Sequence, residues 1–455
     1  MFQTLVNAWK IPDLRKKLLF TAFIILLYRI GSNIPVPFID IPATGLIDPA
    51  GGTTFLNYLS MMTGDAFNYG TIFALSITPY INSSIIIQLL TVAIPYLERL
   101  SKEGEEGRKQ IAKITRYVTI ALGFLQSTAY FIYLNAKDYV LYQGTSKAIE
   151  VFQALVIIFV LSAGTALVMW LGEQINDKGI GNGISIILFA GIISRIPTEA
   201  SMLFSTNPQV GSYFSRGGIY YFLAPFVVVC YILMIAYIVW MDNAERKIPV
   251  QYAKRVVGRK MYGGQSTHIP IKVNMSGVMP IIFASSILSL PPTINLFVAD
   301  KIKSVEGKLD WGDFFSWFEP TSVVYGVLYF LMIIFFAYFY AAIQYNPVEM
   351  ANNIRKNSGM IPGIRPGKPT SDYIGKIISR IILLGALLLS VVALFPTVFT
   401  QVTTLANAPM NITLGGTSII IMVGVALETV KQLESQMMLR HQQHGRVWHH
   451  FSIHY

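Results

Sequence analysis

Cysteine is almost absent. Cys230 is the only one in 455 residues, and it sits inside an apolar run between Val229 and Tyr231. Intrachain disulfides and multi-cysteine metal sites are therefore excluded. Charge is scarce too: Asp, Glu, Lys and Arg make up 13% of the chain, about half the share of an ordinary soluble protein. Asp and Glu are missing from the middle of every long apolar run. A proton- or sodium-coupled carrier normally buries Asp, Glu or His there, so carboxylate-coupled transport is disfavoured; sodium sites built from carbonyls and hydroxyls escape that test. Nucleotide chemistry has no seat either. Gly363-Ile364-Arg365-Pro366-Gly367-Lys368-Pro369-Thr370 imitates a phosphate loop, but three residues separate its glycines where four are needed, and Pro369 stands where a Ser or Thr must bind magnesium. Gly179-Ile180-Gly181-Asn182-Gly183 has Ile184 where a dinucleotide fingerprint has its third glycine. There is no His-Glu-x-x-His motif, and no nucleophile with an adjacent base can be named. Five of the six histidines (His441, His444, His449, His450, His454) crowd the C-terminus with no Cys or carboxylate to complete a site. That tail reads as a solvated end, with weak metal binding as the alternative. The expectation is a protein without catalytic residues, cofactor or metal, not an enzyme, whose energy comes from outside.

What fills the chain is apolar. Hydrophobic residues make up 53%, with a mean hydropathy of +0.52. A membrane-crossing helix needs about 17–25 residues, and ten runs qualify: Leu18–Val36, Thr71–Pro95, Tyr117–Leu134, Val151–Leu171, Ile180–Ile196, Ile219–Met241, Met275–Phe297, Val323–Ile343, Ile377–Leu394 and Gly416–Leu433. The fifth is short, and the tenth is weakened by Glu428 and Lys431. Of the 35 Lys and Arg, 26 fall in alternate loops and only 7 in the others. That alternation is the positive-inside pattern of a multi-pass protein, with both termini on the cytoplasmic side. The formal charge of +11 thus belongs to the inner loops. The first run lacks a small-residue cleavage site and reads as a retained span. The expected fold is all-α and polytopic, ten helices in two five-helix halves; because five is odd, the halves face opposite ways as an inverted repeat. The boundaries are an N-terminal half at 1–196, a link and sixth span at 197–241, a basic loop at 242–274, spans at 275–343, a second basic loop at 344–376, spans at 377–434 and a tail at 435–455.

Three stretches do not cross. The outer loop Pro37–Gly70 has no Lys or Arg and contains Phe55-Leu56-Asn57-Tyr58-Leu59-Ser60-Met61-Met62, apolar but too short to span. It either rests on the outer surface or folds back as a short helix, which backbone chemistry permits only among protein or water. The inner loops Asp242–Val273 and Gln344–Lys376 hold Arg246, Lys247, Lys254, Arg255, Arg259, Lys260 and Lys272, and Arg355, Lys356, Arg365, Lys368 and Lys376. Basic inner loops commonly do no more than set topology and touch anionic lipid. These two are longer than usual connections and carry their own turns, so they also read as docking surfaces for a large acidic or anionic partner.

Several blocks in order carry a resemblance: Ile77-Thr78-Pro79-Tyr80-Ile81-Asn82-Ser83-Ser84-Ile85-Ile86-Ile87-Gln88-Leu89-Leu90, Gly179 to Gly191, Gln265 to Asn274, Arg365-Pro366-Gly367, and Gly415-Gly416-Thr417-Ser418. The chain resembles the SecY family of protein-conducting channels, from its N-terminus to about Leu439. The resemblance implies a ten-helix clamshell with a central hourglass pore. It implies a constriction ring of Ile81, Ile85, Ile184, Leu188, Ile282 and Ile421. It implies a plug at about 55–65, with Phe55, Leu59, Met61 and Met62, and a lateral gate between the second and seventh helices, with Asn82, Ser83, Ser84, Gln88, Pro280 and Ser286. Docking of a ribosome or a SecA-type ATPase would involve Arg246, Lys247, Lys254, Arg255, Arg259, Lys260, Arg355, Lys356 and Arg365. The implied partners are SecE- and SecG-like small membrane subunits, secretory preproteins with signal sequences, and anionic lipids; the implied place is the bacterial plasma membrane. Asn82 stands where the pattern has a small residue, Leu188 where Ile is usual, and the tail after Leu439 departs from the family's basic end.

The residue chemistry suits that scheme. Ile81/Ile85 and Ile184/Leu188 are i, i+4 pairs, each on one helix face; read without the resemblance, such pairs are packing or lipid-facing residues. An aliphatic ring offers a passing chain no fixed hydrogen-bond partner, and it can dewet to exclude ions. Pro79, Pro280 and Gly277 suit helices that bend, or are ordinary packing kinks. The polar group Asn82, Ser83, Ser84 and Gln88 is expected to hydrogen-bond across the closed gate. The runner-up reading is an inverted-repeat secondary transporter of a small solute; an intramembrane hydrolase has no residues to support it.

Overall fold

A computed structural model describes residues 2–42, 45–46, 60, 63–141, 146–204, 213–214, 218–252, 255–257, 260–262, 266–288, 291–292, 317–318, 322–357, 359–405 and 415–443. A helix occupies each of the ten expected positions. The helices at those positions are α2 (Pro12–Gly31), α3 (Thr78–Ala93), α5 (Glu105–Ala136), α6 (Lys147–Lys178), α7 (Gly183–Ile193), α9 (Tyr220–Asn243), α10 (Met279–Leu288), α11 (Val323–Gln344), α13 (Lys368–Leu405) and α14 (Gly416–Gln443); among the described residues seven helices are long and apolar enough to cross a membrane, eight if Thr78–Ala93 and Pro95–Lys102 form one bent span. Between them lie α1 (Phe2–Lys10), α4 (Pro95–Lys102), α8 (Ile196–Phe204) and α12 (Pro347–Lys356).

The second and fifth spans differ from expectation. The second starts late: turns run to Ile77, and the helix begins at Thr78. It ends at Ile94, where α4 departs at 101°, because Pro95 has no N–H to continue the ladder. Pro79 and Pro280 kink nothing. Each is the second residue of its helix, where the missing N–H costs no bond. Gly277, at φ +60°, lies in the turn before α10. Among the described residues, the prolines inside helices are Pro225 in α9 and Pro396 in α13. The fifth span is two pieces, α7 and α8, within a mainly apolar stretch of 22 residues, Gly183–Phe204.

Helix packing falls into two sets. α2, α3, α5, α6 and α7 pack on one another, as do α9, α10, α11, α13 and α14. The sets join mainly where α7 lies on α14 and α1 lies on α14. Thr4 Oγ1 donates to Glu434 Oε1 at 3.1 Å, and Ala8, Leu14, Ile180 and Leu433 close a small apolar core there. The N-terminal helix and the last helix therefore lie together. Within the first set, hydroxyls bond helix to helix: Ser83 Oγ and Thr119 Oγ1 lie 2.6 Å apart, and Ser162 Oγ donates to Ser127 Oγ at 3.1 Å. Small side chains and hydroxyls hold helices together where water gives no hydrophobic drive.

Among the described residues the named strands all lie in the two basic loops, and two isolated bridges, Pro35 with Thr71 and Ile39 with Val140, tie the first outer loop. β1 (Glu245–Tyr252) pairs antiparallel with β4 (Ser266–Lys272) and with β5 (Gly359–Met360). A small hairpin, β2 (Arg255–Val257) with β3 (Lys260–Tyr262), lies between β1 and β4. Pro249 faces His268 and Pro270 faces Lys247 in the register. Both prolines thus share one phase of the ladder, the one whose N–H points away from the partner strand. Ile248, Val250 and Ile271 turn inward onto Ala337 and Ala341 of α11 and Ile374, Ile378 and Ile382 of α13. The two basic loops are one structural unit.

Candidate functional site

Four helices bring aliphatic side chains to one continuous apolar core. Ile81 and Ile85 on α3, Leu188 on α7, Ile282 on α10 and Ile421 on α14 are buried in it, and half-buried Ile184 packs against it. Local chemistry sets each helix in place. Asn182 caps α7 by accepting from Ile184 N at 3.1 Å, and Asn176 Oδ1 accepts from Gly183 N at 2.7 Å. Thr21 Oγ1 on α2 accepts from Ile180 N at 3.1 Å. Gly181 sits at φ +84°, and a Cβ on Gly183 would run into the carbonyl oxygen of Gly172. The glycine run rejected as a nucleotide fingerprint is thus the tight corner that presses α7 against α6. On the facing set, a Cβ on Gly424 of α14 would lie 3.1 Å from Val278 Cγ2, just ahead of α10.

The polar residues of α3 divide by face. Ser83 is fully buried and bonds Thr119 on α5 and the Tyr80 carbonyl on its own helix, at 2.6 and 2.9 Å. The expectation that Ser83 bonds across to the seventh helix is corrected: its position points it inward to the third span. Asn82, Ser84 and Gln88 are half-buried and make no side-chain hydrogen bond among the described residues. On α10, Pro280 is buried and Ser286 half-buried.

The plug residues Phe55, Leu59, Met61 and Met62 lie outside the described residues; Ser60 and the return from Thr63 onward lie inside them. That return holds a group the sequence reading missed. Arg195, between α7 and α8, is only 7% exposed. Its Nε lies 3.4 Å from Asp65 Oδ2, its Nη2 3.6 Å from Glu199 Oε1, and its Nη1 donates to Ser60 Oγ at 3.4 Å. The available signal was the Arg195/Glu199 spacing of i, i+4 at a span end.

On the opposite side, Arg246 and Lys247 on β1, Arg355 and Lys356 on α12, and Arg365 are exposed. Arg365 rides the imitation phosphate loop, which is a turn: Gly363 and Gly367 take φ of +82° and +109°, and Thr370 Oγ1 donates to the Arg365 carbonyl at 2.8 Å. Asn346 Oδ1 caps α12 by accepting from Val348 N at 3.1 Å. Arg255 opens β2 and Lys260 opens β3; Lys254 and Arg259 lie outside the described residues. On α4, Lys102 Nζ donates to Glu98 at 2.6 Å, and that bond holds the Glu98 carboxyl below its ordinary range.

The chain is similar to known proteins along nearly its whole length. A family model described as SecY matches residues 71–430. Protein translocase subunit SecY of Mycobacterium tuberculosis (strain ATCC 25618 / H37Rv) is 42% identical over 452 residues, covering 97% of this chain and 98% of that one. Among solved structures, one described as a protein-conducting channel superposes with a TM-score of 0.61 at 18% identity, covering 96% of this chain and 95% of the other. A second is a SecY protein whose plug domain is said to stabilise the closed channel and maintain a membrane seal, at TM-score 0.58, 18% identity and 96% and 95% coverage. A third is Sec61 in a canine ribosome–channel complex from the endoplasmic reticulum, at TM-score 0.56, 16% identity and the same coverages.

Proposed function

The chain belongs to the SecY family, and from that premise we infer that it is the channel subunit of a preprotein translocase, passing unfolded chains across the membrane and releasing apolar segments sideways into lipid. The observation that carries this is 42% identity across 97% of the chain to a protein translocase subunit SecY. The fold agrees: it is a multi-pass helical protein superposing on protein-conducting channels. Ile81, Ile85, Ile184, Leu188, Ile282 and Ile421 serve as the constriction. Their place in one core fed by four helices supports that role, and an aliphatic waist neither binds a passing peptide nor admits ions when dry. Asn82, Ser84, Gln88, Pro280 and Ser286 line the lateral gate, where an apolar signal segment gains about 0.3–0.6 kcal/mol per central Leu or Ile on entering lipid.

The chain performs no chemistry of its own in this scheme. Force comes from a SecA-type ATPase or a ribosome seated on the basic loop unit, and SecE- and SecG-like subunits brace the exterior. The membrane is the bacterial plasma membrane, with both termini inside, as the Lys and Arg distribution indicates. The test is reconstitution. Liposomes holding the chain with its small subunits are given a SecA-type motor, ATP and a preprotein with a signal sequence. ATP-dependent protection of the preprotein from external protease is expected. Uptake of a small solute by the chain alone, with no preprotein protected, would establish the transporter reading instead.

A further inference from the structure

Several carboxylates near helix ends have a partner. Glu173 on α6 accepts from Arg116 Nε on α5 at 2.6 Å, Glu199 lies 3.6 Å from Arg195, Asp242 accepts from Asn274 at 2.7 Å, and Glu434 accepts from Thr4 at 3.1 Å. Glu428 on α14 differs. It is exposed, and among the described residues it has neither an ion pair nor a hydrogen bond, although Lys431 follows one turn on. An ionisable side chain on a membrane helix faces a water-filled cavity or a substrate path unless its own protein pairs it. Its position follows from Ile421. Glu428 stands at i+7 from that residue, on the same face of α14 and about 10 Å along the axis. A second helix gives the same depth. A Cβ on Gly181 would lie 3.2 Å from Thr429 Oγ1, so the start of α7 meets α14 beside Glu428. From that contact about two turns of each helix lead to Leu188 and to Ile421. Asn182, the exposed cap of α7, is thus level with Glu428. Both lie on the side of the constriction residues where Ala8, Ile180 and Leu433 close their small core, the side that the Lys and Arg distribution assigns to the inside. The Glu428 carboxylate is also within electrostatic reach of the Tyr340 hydroxyl on α11. The Tyr340 ring packs edge-on against Phe283 of α10, with centroids 6.3 Å apart. Glu428 therefore stands inward of the constriction, toward the helix pair that forms one wall of the gate.

We propose that Glu428 is a recognition residue for the preprotein: at the inner mouth, beside Asn182 and Tyr340, its carboxylate receives the cationic leading residues of a signal segment. Such segments carry Lys or Arg ahead of a short apolar stretch, and positive residues stay on the inner side. When the apolar stretch reaches the gate between α3 and α10, the cationic residues are left at the level of Glu428. The aliphatic constriction cannot tell one entering chain from another, and a lone carboxylate selects by charge. This deepens the channel reading above and rests on it.

The test uses the complete translocon, chain plus small subunits, in liposomes with a SecA-type motor and ATP. The probes are one preprotein with two lysines ahead of its apolar stretch, and the same preprotein with both lysines changed to glutamine or to glutamate. The quantity read is the ratio of translocation rates between lysine and glutamine forms, which cancels whatever the variant does to the motor or to transport in general. In Glu428→Gln that ratio is expected to fall about fivefold, the weight of a solvent-reachable ion pair, while the glutamine form passes at its former rate. Glu428→Asp is expected to keep the ratio, and Glu428→Lys to favour the glutamate form over the lysine form. An unchanged ratio in Glu428→Gln overturns the proposal. Equal slowing of both forms overturns it too, since that marks a structural role. A second arm places Glu428→Cys in a Cys230→Ser chain and gives it a stalled preprotein with a single cysteine beside its leading lysines. Oxidation is expected to join the two, and the absence of a bridge overturns the proposal. If the unmodified chain protects no form of the preprotein, the channel reading itself falls, which is a different result.

Discussion

Ser83 and Ser84 are neighbours that differ in burial, the first buried and the second half-buried. Ser83 spends its hydroxyl on Thr119 and the Tyr80 carbonyl inside the first helix set, and a net contribution near 1 kcal/mol is usual for such a bond. Ser83→Ala should therefore lower the melting temperature of the purified complex by a few degrees and leave signal selection unchanged. Ser84→Leu with Gln88→Leu should do the reverse, relaxing export of a reporter with a defective signal sequence while the melting curve stays put. Unchanged export by that pair would remove both from the gate. Gly183 makes a harder demand. With no room for a methyl group beside the Gly172 carbonyl, Gly183→Ala should cost about 1–3 kcal/mol by overpacking and reduce the amount of folded protein recovered from membranes. Part of this was legible in the residues: helical spacing puts Ile81 and Ile85, and Ile184 and Leu188, on one face each, but spacing alone reads as packing or lipid contact, and only the family resemblance suggested a ring. Ser83's true partner was not legible, since a serine inside an apolar run carries no mark of which neighbouring helix will take its hydroxyl. Arg195 was equally opaque, because its partners Asp65 and Ser60 come from a distant loop.

Helices were easier to read than strands, and the reason is length. Runs such as Val323–Gln344 declare themselves, and even the weak tenth span was placed within its helix, Gly416–Gln443. The sheet was hidden. Ile248 and Val250 alternate with exposed residues, but β5 is two residues long and comes from another loop, so no local pattern could reveal that it completes β1. The proline expectations failed for a related reason: whether a proline kinks a helix or starts one depends on where the helix begins, and boundaries are the least readable feature. Val250 gives the test of the sheet. It is fully buried, and Val250→Asp would place an unpaired charge in that core at a cost on the order of 3 kcal/mol. Limited proteolysis of inverted vesicles should then cut near residues 252–266, while circular dichroism keeps its helical signal. An uncut loop would mean the sheet does not hold the loop in place.

Charge organises the molecule from end to end. The basic residues that set topology are the same ones the fold displays on the inner loop unit, so orientation in the membrane and attraction of a partner share one cause. Arg365→Glu should cut ATP-driven translocation about tenfold while assembly with the small subunits is normal. The defect should be largest at low ionic strength, because exposed charges are screened beyond about 10 Å at 0.1 M salt; normal translocation at low salt would take Arg365 out of the docking surface. The ten-span plan and this polarity came directly from counting. The joining of the two loops did not, and it changes how a push is received. β5 lies between the eighth and ninth helices, β1 and β4 between the sixth and seventh, and the sheet rests on α11 and α13. A partner that leaned on Arg365 would therefore load a single lever rooted in four helices rather than tug a slack tether, and its thrust would reach the second helix set as torque.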